Sequence, residues 1–223
     1  MTSHPSAPRH PAPRHHPSAE RLIGYAAGTI APGPHLVLAT HLRACAACRE
    51  EVALTESVGG ALLSSLPPEA MAPDALAKAL ARIERPEPTR PGRAAPLRPD
   101  WIEVPSLVLE AALRRRRWAA PGVWVAPIIG GPRGRRAYLL RVGAGMAMPL
   151  HTHRGSEMTV VLKGAFTDRG ETIGPGDFVE CDESVTHRPT ALAGEECVCL
   201  AAVDESLIAL DWMGRLFQPF VRI

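Results

Sequence analysis

Three things are scarce in this chain, and each scarcity closes off a class of function. No continuous apolar run approaches the roughly 18–20 residues that span a bilayer, so no membrane partner is expected. The formal net charge is only +2 over 223 residues, too small to argue for nucleic acid by itself. Part of the positive charge lies in a Pro-rich stretch and in the run Arg114-Arg115-Arg116-Arg117, read here as a solvated edge. Aromatic residues make up 4% of the chain. The basic face interleaved with aromatics that marks a nucleic-acid binder is therefore missing, and no direct nucleic-acid contact is expected. The segment Met1 to Pro17 is rich in His and Pro and lacks the apolar core of a secretion signal. A cytoplasmic location is expected, in which the five cysteines are thiols or ligands rather than disulfides.

What is present divides the chain in two. Hydrophobic residues at 46% and charged residues at 22% are ordinary for a globular protein, and the length allows one large core or two small ones. Residues 1–15, with four prolines and little to bury, read as a disordered tail. From Ser18 to Ile83 the pattern is helical. Ser18 is a candidate N-cap, a second apolar run covers His35 to Leu42, and a third helix is expected over Glu50 to Leu66. Val52, Leu54, Val58, Leu62 and Leu63 would form the apolar face of that third helix. Asp74 to Ile83 gives a fourth helix, so residues 16–83 suggest a small helical bundle. Residues 84–100, holding five prolines and four arginines, read as a linker. Residues 101–223 then change to short strand-like runs between Gly and Pro, among them Val123 to Ile129, Ala137 to Val142, Glu157 to Leu162, Phe178 to Cys181 and Glu196 to Ala202. Such regular spacing argues for an all-β sandwich or barrel. The expected class is α+β multidomain, a helical bundle followed by a β-barrel.

Each half carries a set of metal-ligand side chains. His41, Cys45 and Cys48 stand at i, i+4 and i+7, which on one α-helix lie within about 60° of one another. Thiolates with an imidazole favour Zn²⁺ in a closed tetrahedral site, which needs a fourth ligand. His16 is the natural candidate, with His15 and His35 competing. In the second half the chain reads Gly145-x5-His151-x-His153-x3-Glu157-x6-Gly164, with His187 further on. Strand alternation points His151 and His153 to one face, and Glu157 shares their parity. Three histidines and a carboxylate inside a barrel make a site for Zn²⁺ or another first-row divalent metal. Zinc would be coordinatively full there, whereas iron or manganese could expand to six ligands and keep positions open. Cys197 and Cys199 alternate along a strand and face one side, either as oxidant-responsive thiols or as core residues. Cys181 has no evident role.

The second cluster resembles the first motif of the cupin superfamily at every element. The second cupin motif is matched in part: Pro175-Gly176-Asp177 and His187 are present, while Ala191 stands where many cupins carry asparagine. The helical half resembles the zinc-binding anti-sigma domain, with His16, His41, Cys45 and Cys48 in its His…His-x3-Cys-x2-Cys pattern. The joined arrangement resembles the ChrR-type anti-sigma factors from about His16 to Ile223, including Cys197 to Ala202 and the ending Gln218-Pro219-Phe220-Val221-Arg222-Ile223. That resemblance implies a non-enzyme. The bundle would bind an extracytoplasmic-function-type sigma factor and block its access to core RNA polymerase, with apolar anchors among Leu36, Val37, Leu38, Leu54, Val58 and Leu62. The cupin barrel would serve the response to singlet oxygen or organic hydroperoxide. The alternative is a metal-dependent cupin enzyme, a dioxygenase or isomerase, with an accessory zinc domain.

Overall fold

The computed structural model describes residues 11–84, 116–130, 136–205 and 208–210. The segment 1–10, the linker from residue 85 onward, Arg114, Arg115 and the ending 218–223 lie outside the described residues. The helical half holds α1 (Ala19–Ala26), α2 (Pro32–Ala44), α3 (Ala46–Ser64) and α4 (Ala75–Ile83). Ser18 caps α1, its side chain accepting from the Arg21 N–H. Part of the expected Gly/Pro break is the first turn of α2, because a proline there lacks only an N–H that has no helical partner.

Among the described residues the second half holds eleven strands in three sheets. The six-stranded sheet is ordered β1 (Arg117–Ala120), β2 (Val123–Ile129), β3 (Arg136–Val142), β10 (Cys197–Val203), β5 (Glu157–Lys163), β8 (Phe178–Cys181). A three-stranded sheet is ordered β7 (Glu171–Ile173), β6 (Phe166–Asp168), β9 (Thr190–Ala191), and β11 (Ile208–Ala209) pairs with β4 (His151–Thr152). All pairings are antiparallel. The five strands expected from the sequence are all present within a residue of their expected ends, and the remaining strands are mostly too short to show a period. At Gly164, φ is +67° and an added Cβ would lie 2.2 Å from the Glu196 carbonyl oxygen, so the β5–β6 turn excludes any side chain.

Both faces of the large sheet are covered. Odd residues of β5 and β10, such as Val161, Cys197, Cys199 and Ala201, point into the barrel. Even ones, such as Met158, Val160, Val198 and Leu200, join Trp124, Ala126 and Leu139 beneath α2. Every residue of β10 is consequently buried, and its sequence shows no polar alternation. Val37 and Leu38 of α2 are part of that outer core. The sequence reading offered both as sigma-factor anchors. They are fully buried and Leu36 is half-buried, because α2 packs on β3, β5 and β10 instead of facing outward.

The opposite correction applies to α3. Of its expected apolar face only Val52 is buried, whereas Leu54, Val58, Leu62 and Leu63 are 67%, 55%, 65% and 70% exposed. The bundle core itself is small, consisting of Leu22, Leu42, Cys45, Cys48 and Val52. No residue of α4 is buried. The expected tail also differs at its end: Arg14 and His15 hydrogen-bond Asp177 of the barrel.

Leu38→Ala should therefore destabilise by about 2–5 kcal/mol, the cost of a cavity in a close-packed core. Denaturant unfolding would measure it, and a loss below about 1 kcal/mol would mean that α2 is not part of the barrel's core.

Candidate functional site

The His/Cys cluster sits where α1, α2 and α3 meet the barrel. His41 is on the last turn of α2, Cys45 is the residue between α2 and α3, and Cys48 is in the first turn of α3. The expected single helical face is thus interrupted. Cys45 adopts an extended conformation (φ −106°, ψ 109°), ending α2 and serving as N-cap of α3, with its Sγ accepting from the Cys48 N–H. The side chains converge all the same, because the bend folds the two helix ends around one point. His16 arrives from the chain before α1, its Nδ1 3.4 Å from both Cys45 Sγ and Cys48 Sγ. His41 Nε2 is 3.3 Å from Cys48 Sγ. Nitrogen–sulfur separations of about 3.5 Å are what tetrahedral zinc with ordinary bond lengths requires. The competing histidines are elsewhere: His15 faces Glu171, and His35 stacks on Tyr25.

Electrostatics act on this cluster in two directions, favouring a neutral imidazole and opposing a free thiolate. His41 Nδ1 donates to the Gly176 carbonyl at 2.7 Å, which leaves Nε2 with a lone pair facing the thiols. Burial lowers the His41 pKa, partly offset by that hydrogen bond, and so favours neutral imidazole. Burial, with the Cys45 thiol next, pushes Cys48 up to about 12, so without metal it is a thiol at neutral pH.

The second cluster lies inside the barrel. His151 is on β4, His153 just beyond it, Glu157 opens β5, and His187 bridges to His151 through paired backbone bonds. His153 Nε2 is 3.2 Å from His187 Nε2 and 3.2 Å from Glu157 Oε2. Ligand atoms of all four lie within 4.8 Å of one another. Two imidazole nitrogens facing each other beside a carboxylate are satisfied by a proton on one of them or by a shared cation. His153 Nδ1 is also buried without a hydrogen-bond partner, while the donor set of three nitrogens and an oxygen suits a first-row metal. The residues fit a metal at this position too.

Outer partners set the ring orientations. His151 Nδ1 donates to the Pro149 carbonyl at 2.7 Å, His187 Nδ1 to Asp168 Oδ2 at 2.8 Å, and the Tyr138 hydroxyl to Glu157 Oε1 at 2.9 Å. Burial lowers His151 to about 4 against the opposing pull of Pro149 and Glu157, so it stays neutral across the physiological range. Cys181 Sγ is 3.9 Å from His187 Nδ1 and is pushed up to about 12 by burial, then by Glu157. Asp168 and Tyr138 were not singled out from the sequence, and Cys181 was given no role there. Parity on β3 and β8 would have placed Tyr138 and Cys181 inside, but three-residue β6 offers no such signal for Asp168. Beside the cluster is a cavity of about 100 Å³, lined by Val125, Leu140, Met148, Phe166 and Val179 among others. Cys197 and Cys199 border it with their sulfurs 3.6 Å apart. The Cys199 thiol is held well above its usual range by the Cys197 hydrogen bond and by burial.

Known proteins share this two-part build. A family model described as the ChrR Cupin-like domain matches residues 107–206. Over 214 residues the chain is 38% identical to the anti-sigma-E factor ChrR of Cereibacter sphaeroides, across 94% of this chain and 99% of that one. The chain belongs to the ChrR-type anti-sigma factors. Among solved structures, the crystal structure of Rhodobacter sphaeroides SigE in complex with the anti-sigma ChrR matches with a TM-score of 0.72 at 37% identity, covering 86% of this chain and 100% of that one. ChrR membership spans both halves, and it makes the chain a regulatory protein rather than the alternative cupin enzyme. No helix among the described residues is long and apolar enough to cross a membrane.

Two measurements follow from the geometry. Loading the metal-free ChrR-type chain with zinc at pH 7 should release protons, Cys48's included, and affinity should rise with pH as proton competition falls. Calorimetric titration in buffers of different ionisation enthalpy reads this directly; identical heats would contradict it. Separately, Asp168→Asn should weaken metal binding by the barrel about 10–100-fold, as loss of an outer carboxylate does elsewhere. Competition against a calibrated chelator would detect the change, and unchanged affinity would remove Asp168 from that role.

Proposed function

We propose that this chain binds an extracytoplasmic-function-type sigma factor through its helical half and keeps it from core RNA polymerase. His16, His41, Cys45 and Cys48 hold a structural zinc in that half, and the barrel, with a metal at His151, His153, Glu157 and His187, serves the release of the sigma factor under oxidative stress. The domains are 16–83 for sigma binding and 101–223 for the barrel, joined by 84–100. The observation that carries the reading is the near-full-length similarity to an anti-sigma protein crystallised with SigE. The exposed face of the helices supports it. Leu54, Val58, Leu62, Leu63 and Leu66 on and just after α3, and Leu76, Leu80 and Ile83 on α4, are all more than half exposed. Exposed apolar residues in such number on two consecutive helices suit insertion into a partner's groove. Zinc would act here by fixing the angle between α2 and α3, since His41 and Cys48 bracket their junction at Cys45.

In the barrel, the Cys197 and Cys199 thiols and the His/Glu cluster border one apolar cavity. Singlet oxygen or an organic hydroperoxide, both small and able to enter apolar space, are the inducers that suit it. Oxidation would start at the metal or the thiols, and buried protonated thiols are slow nucleophiles.

Tagged full-length chain should retain a sigma factor from the source organism's lysate, identified by mass spectrometry. Cys45→Ser/Cys48→Ser should lose it. Leu62→Asp should weaken binding at least about tenfold without lowering thermal stability, because Leu62 is exposed. Adding organic hydroperoxide to the complex should free the sigma factor. Retention of no sigma factor would refute the function; retention unaffected by the double serine variant would refute the zinc's role.

A further inference from the structure

The turn Gly174–Asp177 belongs to the barrel, yet it reaches the His/Cys cluster of the helical half at several points. Asp177, itself buried, accepts with Oδ1 from the backbone N–H groups of Arg14 at 2.6 Å and His15 at 3.0 Å. The Phe178 N–H donates to the His15 carbonyl at 3.0 Å. These bonds clamp the two residues immediately before His16, and Pro13 and Pro17 are buried on either side. From the same turn the Gly176 carbonyl takes the His41 Nδ1 proton at 2.7 Å. The Phe178 ring meets the His41 ring edge to face, with centroids 5.8 Å apart. The remaining carboxylate oxygen of Asp177 accepts from the Gly174 N–H at 2.8 Å, so one side chain both closes the turn and holds the clamp.

We propose that this barrel turn is the outer shell of the helical half's metal site, with Asp177 as its positioning residue. The inference rests on His16, His41, Cys45 and Cys48 being the ligands. Asp177 fixes where His16 stands, and through the turn it closes it keeps the Gly176 carbonyl on His41. Both histidines of the cluster are thereby oriented by the barrel, while both cysteines are oriented by the α2–α3 junction. Neither domain holds the complete site alone. The turn leads directly into β8, whose Cys181 pairs across the ladder with Glu157 of the barrel cluster. Only three residues therefore separate Asp177 from Cys181, the outer shell of one proposed site from the interior of the other, so a shift of β8 would be felt at His16 and His41.

The test uses full-length chain loaded with Co²⁺, whose thiolate-to-metal charge-transfer absorption reports thiolate ligation, which the His16, His41, Cys45, Cys48 group offers twice and the barrel cluster only through the neighbouring Cys181. Loss of that absorption is followed after addition of excess chelator. Asp177→Ala should lose it about 10–100-fold faster than the unmodified chain. Asp177→Asn, which keeps one oxygen for the Arg14 and His15 amides, should fall between them; it also carries the test if the alanine variant does not fold. Arg21→Ala is the control for docking in general, because the Arg21–Glu180 ion pair (2.5 Å) ties the same two halves without touching a ligand. Its rate should stay within about twofold of the unmodified chain, as expected for a partly exposed pair. Unchanged rates in both Asp177 variants, or an Arg21→Ala rate matching theirs, would overturn the proposal. Absence of the charge-transfer absorption in the unmodified chain would instead remove the metal reading, and this inference with it.

Discussion

Burial of α2 against the outer face of the six-stranded sheet is the contact from which the rest of the structure follows. That face carries Trp124, Leu139, Val160, Val198 and Leu200, which would otherwise be open to water at a cost of roughly 25 cal/mol for each Å² of apolar surface. Val37 and Leu38 close it. The same helix then presents His41, three residues beyond Leu38, to the Gly176 carbonyl of the barrel. One packing event thus orders the two halves and orients a candidate ligand. It also explains why α2 has little amphipathic character: most of its residues from Val37 to Leu42 are buried, some against the barrel and some against α1 and α3.

The two clusters are built on one plan with different chemistry. His41, His151 and His187 each commit Nδ1 to an oxygen acceptor and turn Nε2 toward the other candidate ligands. In the helical half the remaining donors are thiols at a bend between helices, a soft and nearly closed set suited to structure. In the barrel they are imidazoles and a carboxylate next to an apolar cavity, a harder set with space beside it. The His153 ring departs from the plan, with Nδ1 unpartnered and Nε2 facing both His187 and Glu157.

The surface of the helical half is the inverse of its small core. Cys45 and Cys48 make up two of the five residues in that core, whereas the larger apolar side chains of α3 and α4 face outward. A domain arranged in this way draws little stability from its own hydrophobic burial. Docking on the barrel compensates for part of what the core lacks, and the proposed ligation at the α2–α3 junction would add to it. The apolar surface left over is then available to a partner.

Candidate ligand types and their spacing were legible in the sequence because they depend on local chemistry: His-x-His on a strand, Cys-x2-Cys four residues after His41, and glycine at turns such as Gly164. The five longer strands were legible for the same reason, since alternation or a continuous apolar run persists over several residues. Other features depend on contacts between residues far apart in the chain. Val37 and Leu38 read as apolar, like Leu54 and Leu62, and nothing local distinguishes a face that meets the barrel from one that meets solvent. The bend at Cys45, the selection of His16 over His15 and His35, and the pairing of Asp168 with His187 were decided in the same way. The sequence by itself determined which side chains were able to ligate and which segments were able to pair. Only the tertiary structure decided which of them meet, because burial and hydrogen bonding across 135 to 162 residues of chain, as from His41 to Gly176 or from His15 to Asp177, leave no periodic trace in either segment.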